Sequence, residues 1–202
     1  YGAKVFDFPW VDSFSAGRNE CLKHATGEWV FWMDGDDRLD ATNREKLKDL
    51  IQRLPNENNA YVMKCVCVAD TPGGTSTVVD HIRLFRNRPE IRWKYRVHEQ
   101  ILPAIRASQG KVEWADVAIQ HVGYVDPKLR SKKLERDMRL LLLESKEQPD
   151  EPFNLFNLGS VYHELGRYDD AMKALRKSLE KSNVKDSIVR KIYALLAQCH
   201  RQ

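Results

Sequence analysis

The spacing of apolar residues changes near residue 127, and that change limits what the 202-residue chain can fold into. Before it, short apolar runs of strand length alternate with polar connections and amphipathic stretches. After it, apolar residues recur at helical intervals almost to the end. The expected fold class is α/β over 1–127, with a mixed sheet, followed by an all-α region over 128–202. In the first region a short strand is expected at Lys4–Phe8, then a helix from Ser13 or Ser15 to Ala25 closed by Gly27. A strand at Glu28–Met33, apolar on both faces, follows. Thr42–Leu54 reads as an amphipathic helix with Leu47, Leu50, Ile51 and Leu54 on one side. Further strands are expected at Ala60–Ala69, Ser76–Arg86, Ile91–Val97 and Lys111–Gln120, with a turn at Asp70–Thr75. The second region opens with a long helix at Lys128–Gln148, broken by Pro149 and Pro152.

Composition narrows the class. The longest wholly apolar runs, Trp29–Met33 and Leu140–Leu143, fall far short of the ~18 residues a membrane helix needs, so the chain is not expected to span a membrane. The four cysteines, Cys21, Cys65, Cys67 and Cys199, show no metal-type spacing and are expected to be free thiols of a reducing compartment. No charged-then-apolar leader follows Tyr1, so a cytoplasmic placement is expected, as a piece of a longer chain. The net charge of +4 implies solubility and little more. Basic residues do gather over 81–106, where Arg83, Arg86, Arg88, Arg92, Lys94, Arg96 and Arg106 face only Glu90 and Glu99. With Phe85, Trp93 and Tyr95 interleaved, three uses are open: a nucleic-acid surface, one solvated strand face, or arginines for a diphosphate. No nucleic-acid motif is present, and no nucleic-acid partner is expected.

Leu158-Gly159, Tyr162, Gly166, Tyr168 and Ala171 stand at the spacings of a helical hairpin repeat. Gly159 lets two helices approach, Tyr162 fills the gap between them, Gly166 turns the chain, and Ala171 is small where the helices cross. This pattern resembles the tetratricopeptide repeat, over about Pro152 to Lys185, with a looser helix at Val189–His200. Such repeats form concave surfaces, which implies a protein partner or acceptor recognition.

The sharpest chemical signal is Trp29-Val-Phe-Trp-Met-Asp-Gly-Asp-Asp37, a strand that delivers three carboxylates to its C-terminal tip. Ligands of open α/β sheets bind at such tips. Three crowded carboxylates repel one another unless a cation lies among them, and oxygen donors suit Mg²⁺ or Mn²⁺. A polar loop capping the next helix through Asp37 or Asp40 is the plainer alternative. An EF-hand is excluded by Arg38 and Leu39 at its fifth and sixth places, and Arg38 disfavours an aspartyl phosphatase.

Phe14-Ser-Ala-Gly-Arg-Asn19, then Ala25-Thr-Gly-Glu28, then the acidic tip, resemble in that order the family 2 glycosyltransferases, enzymes of the GT-A fold with an Asp-x-Asp metal motif. Some bacterial members also carry trailing tetratricopeptide-like repeats. The resemblance, over about residues 1–125, implies an inverting, metal-dependent transfer of sugar from a nucleotide-sugar donor, most simply a UDP-sugar. It implies that Asp34 and Asp36 meet the donor and its Mn²⁺ or Mg²⁺, with help from Asp37 and His121. Arg18 would lie near the phosphates, Glu99 would be the catalytic base, and His98 would position it or line the acceptor site. The bland alternatives are a surface Arg18, a Glu99 paired with one of the nearby arginines, and a His121 hydrogen-bonded at a strand end. The strand, acidic loop and Asp-ended strand that usually open the family do not precede Tyr1, so the sequence reads as an N-terminally truncated form. An interaction module built on the repeats, with an inactive or truncated transferase-like domain, is the alternative function.

Overall fold

A computed structural model describes residues 2–67, 76–122 and 127–201, with side chains from 131 onward in the last segment. The expected turn at Asp70–Thr75 and the segment Gly123-Tyr124 lie outside them. The chain divides into two compact units. One comprises Tyr1–Pro9, Ser15–Lys94 and Glu99–Asp126; the other comprises Pro127–Gln202 together with two short segments, Trp10–Phe14 and Tyr95–His98. A linear reading of the sequence has no way to reveal those two excursions.

The first unit is a mixed α/β structure, as the apolar spacing predicts. Its elements are α1 (Phe14–Lys23), β1 (Trp29–Phe31), β2 (Asp37–Arg38), α2 (Ala41–Gln52), β3 (Asn59–Cys67), β4 (Thr77–Arg86), α3 (Leu102–Ala107) and β5 (Lys111–His121). The sheet runs β1-β4-β3-β5-β2, with β3 and β5 parallel and every other pair antiparallel. Alternation of side chains along the strands, with a register shift in the β3–β4 pairing between Tyr61 and Val62, builds two cores. Ala60, Val62, Ile82 and Phe85 meet Leu22, Ile91 and Ile105 on one face. Tyr61, Met63, Leu84 and Ile119 meet Leu47 of α2 on the other.

Several expectations need correction. Lys4–Phe8 is exposed and forms no strand. Helix α1 ends at Lys23, and Gly27, without a positive φ, is not its cap. β1 sends Val30 to one core and Trp29 and Phe31 to the other, but as an edge strand it is only half-buried. Ile91–Val97 is not a strand. Ile91 and Trp93 do point into the core, which produces the alternation, but past Lys94 the chain doubles back. Lys94 and Gln100 exchange both backbone hydrogen bonds, at 2.9 and 3.0 Å, with Tyr95 and His98 at φ 70° and 55° in between. Left-handed backbone at two residues cannot continue a strand. The six-residue α3 and two-residue β2 are too short for any periodicity to announce.

The second unit contains α4 (Pro127–Glu147), α5 (Pro152–Glu164), α6 (Tyr168–Lys181) and α7 (Ile188–Cys199). Each repeat residue does what its type suggests. A Cβ on Gly159 would stand 2.6 Å from Leu175 Cγ, so only glycine allows α5 and α6 this approach. Gly166 turns the chain at φ 71°, and Ala171 is fully buried. Among the described residues no helix is long and apolar enough to cross a membrane.

Candidate functional site

The acidic tip is a tight turn closed from both ends. Asp37 N–H donates to Asp34 O at 3.0 Å, and Asp34 N–H donates to the Asp37 carboxylate at 2.8 Å. The chain then enters β2, whose pairing with β5 sets Asp37 opposite His121. Val122 N–H donates to Asp36 O at 3.0 Å and locks that register. A histidine 84 residues away is thereby brought against the acidic tip: its Nδ1 lies 3.0 Å from Asp37 Oδ1 and 3.5 Å from Asp36 Oδ1.

The three aspartates have different surroundings. The Asp34 and Asp36 side chains are 37% and 42% exposed, whereas that of Asp37 is 0% exposed. Asp37 pairs with Arg83 of β4, itself buried, at 2.6 Å. Burial pushes the Asp37 carboxyl up, but the Asp34 N–H, His121 and the Arg83 guanidinium together hold it below the ordinary carboxylate range. Helix α2 is capped by Asp40, which accepts from Asn43 N–H at 2.7 Å. The capping duty therefore falls to Asp40 and leaves the other three acids to the tip.

Arg18 joins the tip to Glu99. Its Nε donates to Glu99 Oε1 at 2.6 Å and its Nη2 to Asp34 Oδ1 at 2.9 Å. The guanidinium lies over Trp32 at 4.2 Å and near Trp93 at 5.1 Å, a placement that favours a cation. Burial works against its charge, but Glu99 and Asp34 outweigh that and raise its affinity for the proton. Asn19 fixes this arrangement: its amide both donates to Trp93 O at 3.0 Å and accepts from Trp93 N–H at 2.8 Å. Adjacent Arg and Asn thus divide the work, one holding side chains and the other backbone. The bland reading of Arg18 as a surface residue does not hold, since its side chain is 23% exposed. Glu99 does pair with an arginine, but that arginine is Arg18 and not one of the basic stretch.

Of the expected site residues, the fold brings Arg18, Asp34, Asp36, Asp37, Glu99 and His121 into one network. His98, at φ 55°, is grouped with the second unit. The basic stretch is not one solvated face. Arg83 is buried, Arg86 binds Glu28 and Asn56, and Arg92 donates to the carbonyls of Arg88 and Ile91. Arg83 and Trp32 are the residues sequence reasoning missed. Arg83 lies 3.8 Å over the Trp32 ring, on the side chain that also carries Arg18. The available signal was a single arginine inside the apolar run Ile82-Arg83-Leu84-Phe85 of a strand.

The donor set fits a divalent cation. Ligand atoms of Asp34, Asp37 and His121 lie within 4.8 Å of one another, and Asp36 approaches the same imidazole. Carboxylate oxygens with one imidazole suit Mn²⁺ or Mg²⁺.

Comparison with known proteins gives two matches to families. Glycosyl transferase family 2 matches residues 1–104, and the tetratricopeptide repeat matches residues 154–180. A TPR repeat-containing protein of Synechococcus elongatus is 26% identical over 208 residues, covering 100% of this chain and 50% of its own length. The SPbeta prophage-derived glycosyltransferase SunS of Bacillus subtilis is 24% identical over 172 residues, covering 84% of this chain and 40% of its own. SunS of Bacillus phage SPbeta matches to the same extent. The chain thus spans half or less of the length of these relatives.

Proposed function

Because the chain belongs to glycosyl transferase family 2, with 104 of its 202 residues matched, we propose that it carries the metal- and diphosphate-binding side of a glycosyltransferase site. The observation that carries this reading is the Arg18 bridge, which ties the candidate base Glu99 to the acidic tip through bonds of 2.6 and 2.9 Å. Residues 1–127 form the transferase domain in this reading, and 128–202 the helical region.

The donor is a nucleotide-sugar, most simply a UDP-sugar, and the transfer inverts the sugar. Glu99 takes the proton of the acceptor hydroxyl as that oxygen bonds to the anomeric carbon. The bond to the nucleoside diphosphate breaks on the opposite face, and its electron pair leaves with the diphosphate. Arg18 holds Glu99 in place and presents a planar guanidinium, which matches phosphate oxygens. Asp34, Asp36 and His121, with Asp37 behind them, are the residues from which a Mn²⁺ or Mg²⁺ site would be drawn. A cation held there supplies positive charge to the leaving diphosphate. The matched repeat at 154–180 supports a role for the helical region in holding the acceptor or a protein partner.

Thermal shift tests this directly. Uridine and guanosine diphosphates are added with and without Mn²⁺ to the chain and to Asp34→Asn. A nucleotide at a hundred times its dissociation constant adds about 2.7 kcal/mol, which raises the midpoint of a chain this long by about 5 to 10 °C. The expected result is a Mn²⁺-dependent rise, larger with the uridine nucleotide, that Asp34→Asn abolishes. No rise with either nucleotide would refute a donor site on this chain.

A further inference from the structure

Asp37 differs from its neighbours in being buried with both oxygens engaged. Oδ2 accepts from Asp34 N–H at 2.8 Å and from Arg83 Nη1 at 2.6 Å, while Oδ1 faces His121 Nδ1 at 3.0 Å. The side chains of Arg83 and Asp37 are 2% and 0% exposed. A cation drawn to Asp37 would have to enter a buried ion pair whose positive member is already present, and breaking such a pair is strongly unfavourable. Asp34 also pairs with a cation, Arg18 at 2.9 Å, but that pair is partly exposed, and Asp36 is 42% exposed, so neither is buried as Asp37 is.

We propose that Asp37 is a positioning residue for His121, not a metal ligand. Its ionised carboxylate, fixed by Arg83, accepts the proton-bearing Nδ1 and leaves Nε2 as the bare nitrogen of the ring. That is the tautomer a free neutral histidine populates less, and a partner on one nitrogen is what selects it. A carboxylate behind an imidazole also raises the basicity of the opposite nitrogen toward a metal. Arg83, Asp37 and His121 thus form a chain running from the buried sheet to the site. β4 supplies the first member, β2 the second and β5 the third. Antiparallel pairing of Asp37 with His121 makes the last contact a consequence of backbone register. The use of Nε2 by a cation rests on the transferase reading; the tautomer does not.

Asp37→Asn gives a directional test. Two donors converge on the Oδ2 position, so the amide carbonyl of asparagine stays there and its NH₂ replaces Oδ1. An NH₂ facing Nδ1 requires that nitrogen to be bare, and the ring proton moves to Nε2. Long-range ¹H–¹⁵N correlation spectra at about pH 8.5, well above the ~6.5 of an ordinary histidine, read the tautomer, and His121→Gln assigns the resonance. The wild-type ring is expected to carry its proton on Nδ1, Asp37→Asn to reverse it, and Asp36→Asn to leave it unchanged. Mn²⁺ affinity, read from the electron paramagnetic resonance signal of the free ion, is expected to fall about 10- to 100-fold in Asp37→Asn.

A wild-type ring protonated on Nε2 overturns the proposal, whether or not the variant folds. A folded Asp37→Asn chain that keeps the wild-type tautomer overturns it too. Reversal in Asp36→Asn would hand the role to Asp36 and has the same effect. A wild-type chain that binds no Mn²⁺ counts against the metal in the transferase reading, and the tautomer is decided separately from it.

Discussion

The pair Arg83–Asp37 shows how far one buried arginine can reorder a motif. In sequence, Asp34, Asp36 and Asp37 are three equivalent acids at a strand tip. In the fold, Arg83 withdraws Asp37 into a 2.6 Å ion pair and leaves the other two half-exposed. Arg83→Met would strand the Asp37 carboxylate without its counter-charge. Losing one member of a buried pair costs about 3–5 kcal/mol, so the urea midpoint is expected to drop accordingly. A change under about 1 kcal/mol, the range of a surface pair, would show that solvent reaches Asp37. The same pair sets an acid limit. The folded Asp37 carboxyl lies below its ordinary 3.8, so the folded state binds that proton less readily than the unfolded chain. Its contribution is present in full above about pH 4 and is lost as pH falls through the folded value. Wild type is expected to lose stability over that window, and Asp37→Asn to lose less. Equal losses in urea titrations at pH 5 and pH 3 would show that other carboxyls govern the acid limit.

At the scale of elements, the repeat hairpin was the most legible part of the chain, because its geometry depends on residue size at fixed spacing. Gly159 and Ala171 are small because α5 and α6 touch there, with the Leu175 side chain fully buried against them. Gly159→Ala ordinarily gains about 1 kcal/mol inside a helix. Here the new methyl would stand 2.6 Å from Leu175 Cγ and 3.3 Å from Ala171 O, and overpacking of that kind costs about 1–3 kcal/mol. The thermal midpoint is expected to fall, and a rise would mean the hairpin can open without penalty. Ile91–Val97 is the opposite case. Its alternation was real, since Ile91 and Trp93 are core residues, but alternation does not reveal whether a neighbouring strand exists. The chain satisfied its backbone by closing Lys94 on Gln100, and that turn is what delivers Glu99 to Arg18.

Within the first unit, stability should follow distance from the sheet edges. β3 lies at the centre, paired on both sides, with Ala60 and Met63 fully buried, whereas β1 and β2 are edge strands. Hydrogen exchange is expected to be slowest in β3 and β4 and fast in β1 and β2; protection of β1 equal to that of β3 would point to a further strand covering it. By itself the sequence determined the α/β-then-helical order, the repeat and the acidic tip, because periodicity, size and charge are local properties; Arg18, Glu99 and His121 became candidates through the resemblance to family 2 glycosyltransferases. Only the tertiary structure decided which of them meet. Register between β2 and β5 set His121 on Asp37, a bent segment set Glu99 on Arg18, and burial turned Arg83 from one basic residue among seven into the counter-ion of the tip. Those outcomes depend on contacts between residues up to 84 positions apart, and no local pattern encodes the depth at which a charge will be buried.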